Sequence, residues 1–117
     1  MGLNLRIRMI TLAVIPALGM SLLLAQTGKQ KTQGDAARGK TVFEGQCAVC
    51  HNADSTVKKI GPGLKRLLKK PKLVNGKAAT EANVRAIIDS GGNGMPPFKD
   101  ILSAAQKDDL IAYLKTL

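Results

Sequence analysis

The chain has 117 residues, 18 of them Lys or Arg against 8 Asp or Glu, for a formal net charge of +10. That length sets one domain as the expectation. With no Trp, one Tyr and two Phe, it lacks the aromatic platforms on which nucleic-acid bases stack, so the positive charge is not read as a nucleic-acid surface.

The N-terminal 25 residues differ in kind from the rest. Arg6 and Arg8 precede an apolar stretch from Met9 to Ala25, 17 residues long and interrupted by Pro16 and Gly19. A basic start followed by an apolar run is the pattern of an export signal. The run is slightly shorter than the ~20 residues a spanning helix prefers. Two fates stay open: cleavage near Ala25, where Leu23 is larger than a signal peptidase favours, or retention as a membrane anchor. Either sends the following residues across a membrane, to the periplasm of a bacterium. Thr27 to Gly34 is polar and basic and reads as a linker, so the expected organisation is 1–25 signal or anchor, 26–34 linker and 35–117 domain.

Asp35 is an N-cap candidate for a helix over Ala36–Gln46. Gly39 and Phe43 lie four apart and share one of its faces. The helix runs into Cys47-Ala48-Val49-Cys50-His51, which contains both cysteines and the only histidine of the chain. Two cysteines separated by two residues, with histidine next, form the attachment signature of a c-type haem. Each thiol adds to one porphyrin vinyl group, and the histidine is held under the iron. A structural zinc site needs four ligands, and this chain offers three Cys/His. A dithiol redox motif needs a strand–helix–strand context, and no strand-rich segment surrounds the motif.

Asn52 to Gly63 reads as loop. Leu64, Leu67 and Leu68 follow at helical spacing among Lys65, Arg66, Lys69 and Lys70, which predicts a short amphipathic helix ended by Pro71. Lys72 to Ala79 reads as polar loop with an Asn75-Gly76 turn. Thr80 caps the next helix, whose apolar stripe is Val84, Ile87 and Ile88 and whose end is marked by Gly91. Gly91-Gly92-Asn93-Gly94 cannot continue a helix, and Met95-Pro96-Pro97-Phe98 is a stiff extended loop. Ser103 and Gln106 form a capping box for a last helix, with Leu110, Ile111, Leu114 and Leu117 on its apolar face and Tyr113 beside them. No segment alternates with period two for long enough to be a strand.

An iron held by His51 has a second axial position. Met95 is the only methionine downstream of the export segment. Its place between a glycine-rich turn and two prolines suits a rigid mount rather than core filling. A thioether there stabilises ferrous iron.

In these features the chain resembles class I c-type cytochromes, over about Gly34 to Leu117. The match rests on Gly39 and Phe43, Cys47-x-x-Cys50-His51, Gly61-Pro62-Gly63-Leu64, Met95-Pro96-Pro97-Phe98, and Leu110 with Tyr113. The resemblance implies a small all-α fold wrapped around one covalently attached haem c. It implies that the first and last helices cross at the Gly/Phe and Leu/Tyr positions, and that the Pro62 carbonyl accepts the other ring N–H of His51. Many relatives place Trp or Tyr near the haem propionates. Here the one Tyr is assigned to the helix crossing, so the propionate partners are unassigned, with Lys, Arg or backbone N–H groups as candidates.

A domain this small builds a modest apolar core, so it is expected to be poorly folded without its porphyrin. From Lys58 to Lys72 seven of fifteen residues are Lys or Arg, and no acid lies between Asp54 and Glu81. The bland reading is a solvated surface. The functional one is steering toward redox proteins with acidic docking surfaces, or toward an anionic membrane. The expected function is a one-electron carrier in an exported redox chain, not an enzyme, because His51 and Met95 fill both axial positions. Two alternatives remain: a membrane-anchored haem subunit of a larger oxidoreductase, and a ligand-binding or peroxidase-type haem protein with a labile sixth ligand.

Overall fold

A computed structural model describes residues 33–117. The expected export segment and nearly all of the expected linker lie outside the described residues. Among those described there are three α-helices: α1 (Ala36–Gln46), α2 (Glu81–Ser90) and α3 (Ala104–Leu114). Among the described residues no β-strand is formed, only isolated bridges at Lys72–Ala78 and Gly92–Met95. The all-α expectation holds.

Each helix starts where its sequence supplies an acceptor for the orphan N–H groups of the first turn. The Asp35 carboxylate accepts from Arg38 N at 2.9 Å, and the Thr80 hydroxyl from Asn83 N at 3.2 Å. Ser103 and Gln106 satisfy each other's backbone N–H reciprocally, at 3.2 and 2.9 Å. Gly91 ends α2 with φ of 64°.

The first and last helices cross at Gly39. A Cβ there would collide with the Asp109 carbonyl and stand 2.9 Å from Tyr113 Cβ. Glycine therefore sets the distance between the two backbones. Phe43 packs its ring on that of Tyr113, with centroids 5.5 Å apart and planes tilted by 55°, a favourable aromatic geometry. Leu110, 1 % exposed, is the most enclosed side chain of a core that also holds Phe43, Leu64, Leu73, Val84, Ile88, Phe98, Leu102, Ile111 and Leu114.

Polar groups lock the crossing. Asp109 is buried on α3, yet it accepts from Asp35 N at 2.7 Å and from Arg38 Nε at 2.8 Å. The Arg38 hydrogen bond, and then the Asp35 N–H, hold its carboxyl below the usual carboxylate range.

One expected element is corrected. Leu64 to Lys70 does not form an amphipathic helix; only Leu67–Lys69 makes a single 3-10 turn. Arg66 takes a left-handed conformation with φ of 59°, which an α-helix excludes, and Leu64 N is drawn away to the Asn52 carbonyl at 2.8 Å. The leucines still reach the core, through a turned loop rather than a helix face. Lys65, Arg66 and Lys69 are exposed, whereas Lys70 is half-buried, so the four basic groups do not share one exposed face.

Candidate functional site

The chain leaves α1 through the Cys47–His51 segment, and the turn is set by backbone bonds. Cys47 is the C-cap of α1. Its carbonyl accepts from Cys50 N at 3.1 Å and His51 N at 2.9 Å. Lys59 Nζ donates to the Ala48 carbonyl at 2.8 Å, and Gly61 N to the Cys50 carbonyl at 2.8 Å. The Asn52–Gly63 loop thus folds back over the motif and braces it.

That fold-back positions the imidazole. His51 Nδ1 lies 2.8 Å from the Pro62 carbonyl oxygen. A carbonyl only accepts, so Nδ1 carries the proton and Nε2 keeps a free lone pair. Gly61 lies flush against the ring. A Cβ there would meet the imidazole, 2.8 Å from Nδ1 and 3.0 Å from Nε2. The Gly61-Pro62 pair therefore fixes both the tautomer and the ring plane.

Met95 is placed by a different device. Gly91, Gly92, Asn93 and Gly94 all have positive φ, from 51° to 121°, a run that L side chains resist. A Cβ at Gly91 would collide with the Met95 carbonyl. Gly92 and Met95 exchange backbone hydrogen bonds at 2.9 and 3.0 Å, and Phe98 N donates to the Ile88 carbonyl at 2.9 Å. The loop is thereby wound tightly and pinned back onto α2.

Cys47, Cys50, His51 and Met95 line one cleft, about 1480 Å³ counting its open mouth, that cuts into the core as far as Leu110. Val49, Ile60 and Val74 line it too and are 67, 69 and 75 % exposed, giving an apolar rim. Among the described residues, its only charged lining side chains are Lys70 and Lys72. No disulfide joins the two cysteines. Burial, with a smaller effect from neighbouring Cys50, pushes the Cys47 thiol up to about 11. A dithiol exchange motif works through a thiolate of low pKa, so Cys47 is unsuited to that role. Among the described residues, no three Cys, His, Asp or Glu side chains converge as a metal cage, against the zinc alternative.

The likeness to known proteins agrees with this geometry. Residues 34–114 match the family model described as cytochrome c oxidase, cbb3-type, subunit III. The chain is 38 % identical over 88 residues to a cytochrome c6 of Synechocystis sp., spanning 74 % of this chain and 69 % of that protein. It is 39 % identical over 80 residues to a cytochrome c6 of Leptolyngbya boryana, spanning 68 % and 89 %. The chain belongs to the class I c-type cytochromes. Its fold agrees with the crystal structure of cytochrome c6 from the diatom Phaeodactylum tricornutum, at a TM-score of 0.57 and 25 % identity over 71 % of this chain and 93 % of that one.

This cytochrome carries one covalently bound c-type haem and serves as an electron carrier. The residues present fit that group. Two thiols, an imidazole with a free Nε2 lone pair and a thioether share one largely apolar cleft. Lys70 and Lys72 also line the cleft; the sequence pattern shows them only as members of the basic Lys58–Lys72 run. Leu73, buried in a segment read as polar loop, is missed by that pattern.

Proposed function

We propose that Cys47 and Cys50 form the thioether links of the haem, and that His51 Nε2 and Met95 Sδ are its two axial ligands. The observation that carries this reading is the commitment of His51 Nδ1–H to the Pro62 carbonyl. It leaves Nε2 as the one imidazole donor, in the cleft that also holds both thiols and Met95. When bound, the haem supplies the one-electron couple. The chain holds the imidazole at a fixed angle, excludes water with core side chains, and offers the Met95 sulfur from a wound loop. A thioether ligand favours ferrous iron and raises the potential. Lys70 donates only a long 3.5 Å hydrogen bond, to the Gly63 carbonyl; with Lys72 it provides positive charge for the haem carboxylates. With both axial positions taken, the protein passes electrons and performs no substrate chemistry of its own.

Its partners are redox proteins, and the basic surface suits acidic docking faces. Lys58, Lys59, Lys65, Arg66, Lys69 and Lys72 are all exposed. The apolar rim of Val49, Ile60 and Val74 lies at the cleft, which Lys72 also lines. Arg6, Arg8 and the apolar run to Ala25 support export to the periplasmic side. A second reading, a haem subunit of a larger membrane oxidoreductase, draws on the matching model's description as an oxidase subunit. No helix among the described residues is long and apolar enough to cross a membrane, so an anchor for that assembly falls to residues 9–25. The N-terminal residue of the native protein separates the two: Gln26 for a cleaved carrier, intact Arg6 and Arg8 in the membrane fraction for an anchored subunit.

The ligand assignment is tested by redox-titrating the visible spectrum of the exported, haem-loaded protein. Met95→His should stay low-spin but shift to a lower potential, because imidazole favours ferric iron relative to a thioether. An unchanged potential and ferric spectrum would show that another group is the sixth ligand.

A further inference from the structure

Lys107 is the least expected side chain in the fold. It belongs to α3, yet it is only 7 % exposed, and lysine is almost never enclosed unless paired. Its ammonium donates to Asp89 Oδ1 at 2.6 Å and to the Lys99 carbonyl at 3.0 Å. Asp89 is the penultimate residue of α2. Lys99 directly follows Phe98, where the Met95 loop has just been pinned to Ile88. One cation from α3 therefore bonds both stems of the loop that carries Met95.

Beyond the bonds that pin its two ends to α2 at Ile87 and Ile88, the loop makes few bonds to the rest of the fold. Gly92, Asn93, Gly94, Pro96 and Pro97 are exposed, and Gly91 and Met95 are half-buried. Its internal bonds are the Gly92–Met95 pair, which shape the turn without tying it to the body of the protein. A loop with exposed backbone and few buried apolar anchors opens locally at low cost. A buried ion pair adds little net stability, but this one joins the two stems of a single loop.

We propose that Lys107 is a positioning residue for Met95: by joining Asp89 to the Lys99 carbonyl it holds the loop closed, and so sets how readily the Met95 sulfur yields the iron to an external ligand. This rests on the reading of Met95 as the sixth ligand. Electron transfer requires that the ligand stay in place in both oxidation states, and a closed loop keeps it there.

The test is a titration of the full-length, haem-loaded ferric protein with imidazole, followed in the visible spectrum. Lys107→Met removes both bonds while keeping the apolar stem, and should tighten imidazole binding at least tenfold. Asp89→Ala removes one acceptor from a partly exposed position, should act in the same direction, and carries the test if Lys107→Met does not fold. Asp109→Asn loosens the α1–α3 crossing through its bonds to Asp35 and Arg38, leaves both Lys107 bonds intact, and should leave imidazole affinity within twofold of wild type. Equal tightening in all three variants would mark a general loss of stability and overturn the proposal. So would wild-type affinity in both loop variants while Met95→Ala binds imidazole more tightly. If Met95→Ala itself matches wild type in spectrum and affinity, Met95 is not the ligand and both readings fall.

Discussion

Replacing Gly39 by alanine probes the contact on which the whole frame depends. The new Cβ would stand 2.9 Å from Tyr113 Cβ and collide with the Asp109 carbonyl, where carbon atoms prefer about 3.5–4.0 Å. The Tyr113 contact alone requires the helices to part by about 0.6–1.1 Å. A gap of 0.5–1 Å already forfeits a quarter to a half of each dispersion contact across an interface, here including Phe43 on Tyr113. Overpacking costs about 1–3 kcal/mol. Because the obstructing group at Asp109 is backbone and cannot rotate away, the upper end applies. Alanine's better helix propensity returns about 1 kcal/mol, leaving a net loss of about 2 kcal/mol. For a domain of this size that lowers the midpoint by about 8–16 °C. Thermal and urea unfolding of the haem-loaded protein, followed by far-ultraviolet circular dichroism, measures it. Gly45→Ala in the same helix supplies the control. Nothing lies within 4 Å of its new Cβ, so it should be neutral or stabilising by up to about 1 kcal/mol. Equal effects from the two substitutions, or a Gly39→Ala protein as stable as wild type, would refute the close-crossing argument.

Asp109→Asn tests the buried carboxylate through pH. Its folded-state pKa lies below the ordinary value of ~3.9, so between the two values the unfolded chain binds more protons. The stabilisation is therefore complete above about pH 5 and lost as pH falls through the folded value. The urea midpoint of wild type should exceed that of Asp109→Asn at pH 7, with the gap narrowing toward pH 3; a gap independent of pH would contradict it. For the basic surface, electron transfer to an acidic partner should slow as salt is added, since exposed charges are screened beyond ~8 Å at physiological ionic strength. Charge reversal at Lys65, Arg66 and Lys69 should flatten that slope with little change in potential, whereas Lys70 is spared because it lines the cleft. Identical slopes in wild type and variant would return these residues to a role in solubility alone.

Much of this protein is legible in its sequence, wherever the physics is local. Helix starts follow from single side chains acting within one turn, so Asp35, Thr80 and Ser103 announce α1, α2 and α3 directly. The haem motif is legible because its chemistry fixes three of five positions, two cysteines and a histidine. The place of Met95 on the cleft is legible because the glycines and prolines around it leave the backbone few alternatives. The amphipathic pattern at Leu64, Leu67 and Leu68 misled for the complementary reason. Periodicity records which residues seek the core, but the backbone path there is set by Leu64 N bonding to Asn52 and by the left-handed Arg66. Tertiary structure alone decided which charges are buried. Lys107 and Asp109 sit on α3, and only the packing of α1 and of the loop stems supplies the partners with which they are enclosed. Lys70 and Lys72 face a cleft for the same reason. A charge is worth burying only when its partner arrives from elsewhere in the fold, and that partner lies 18 residues away for Lys107 and 71 for Asp109, beyond the reach of any local pattern.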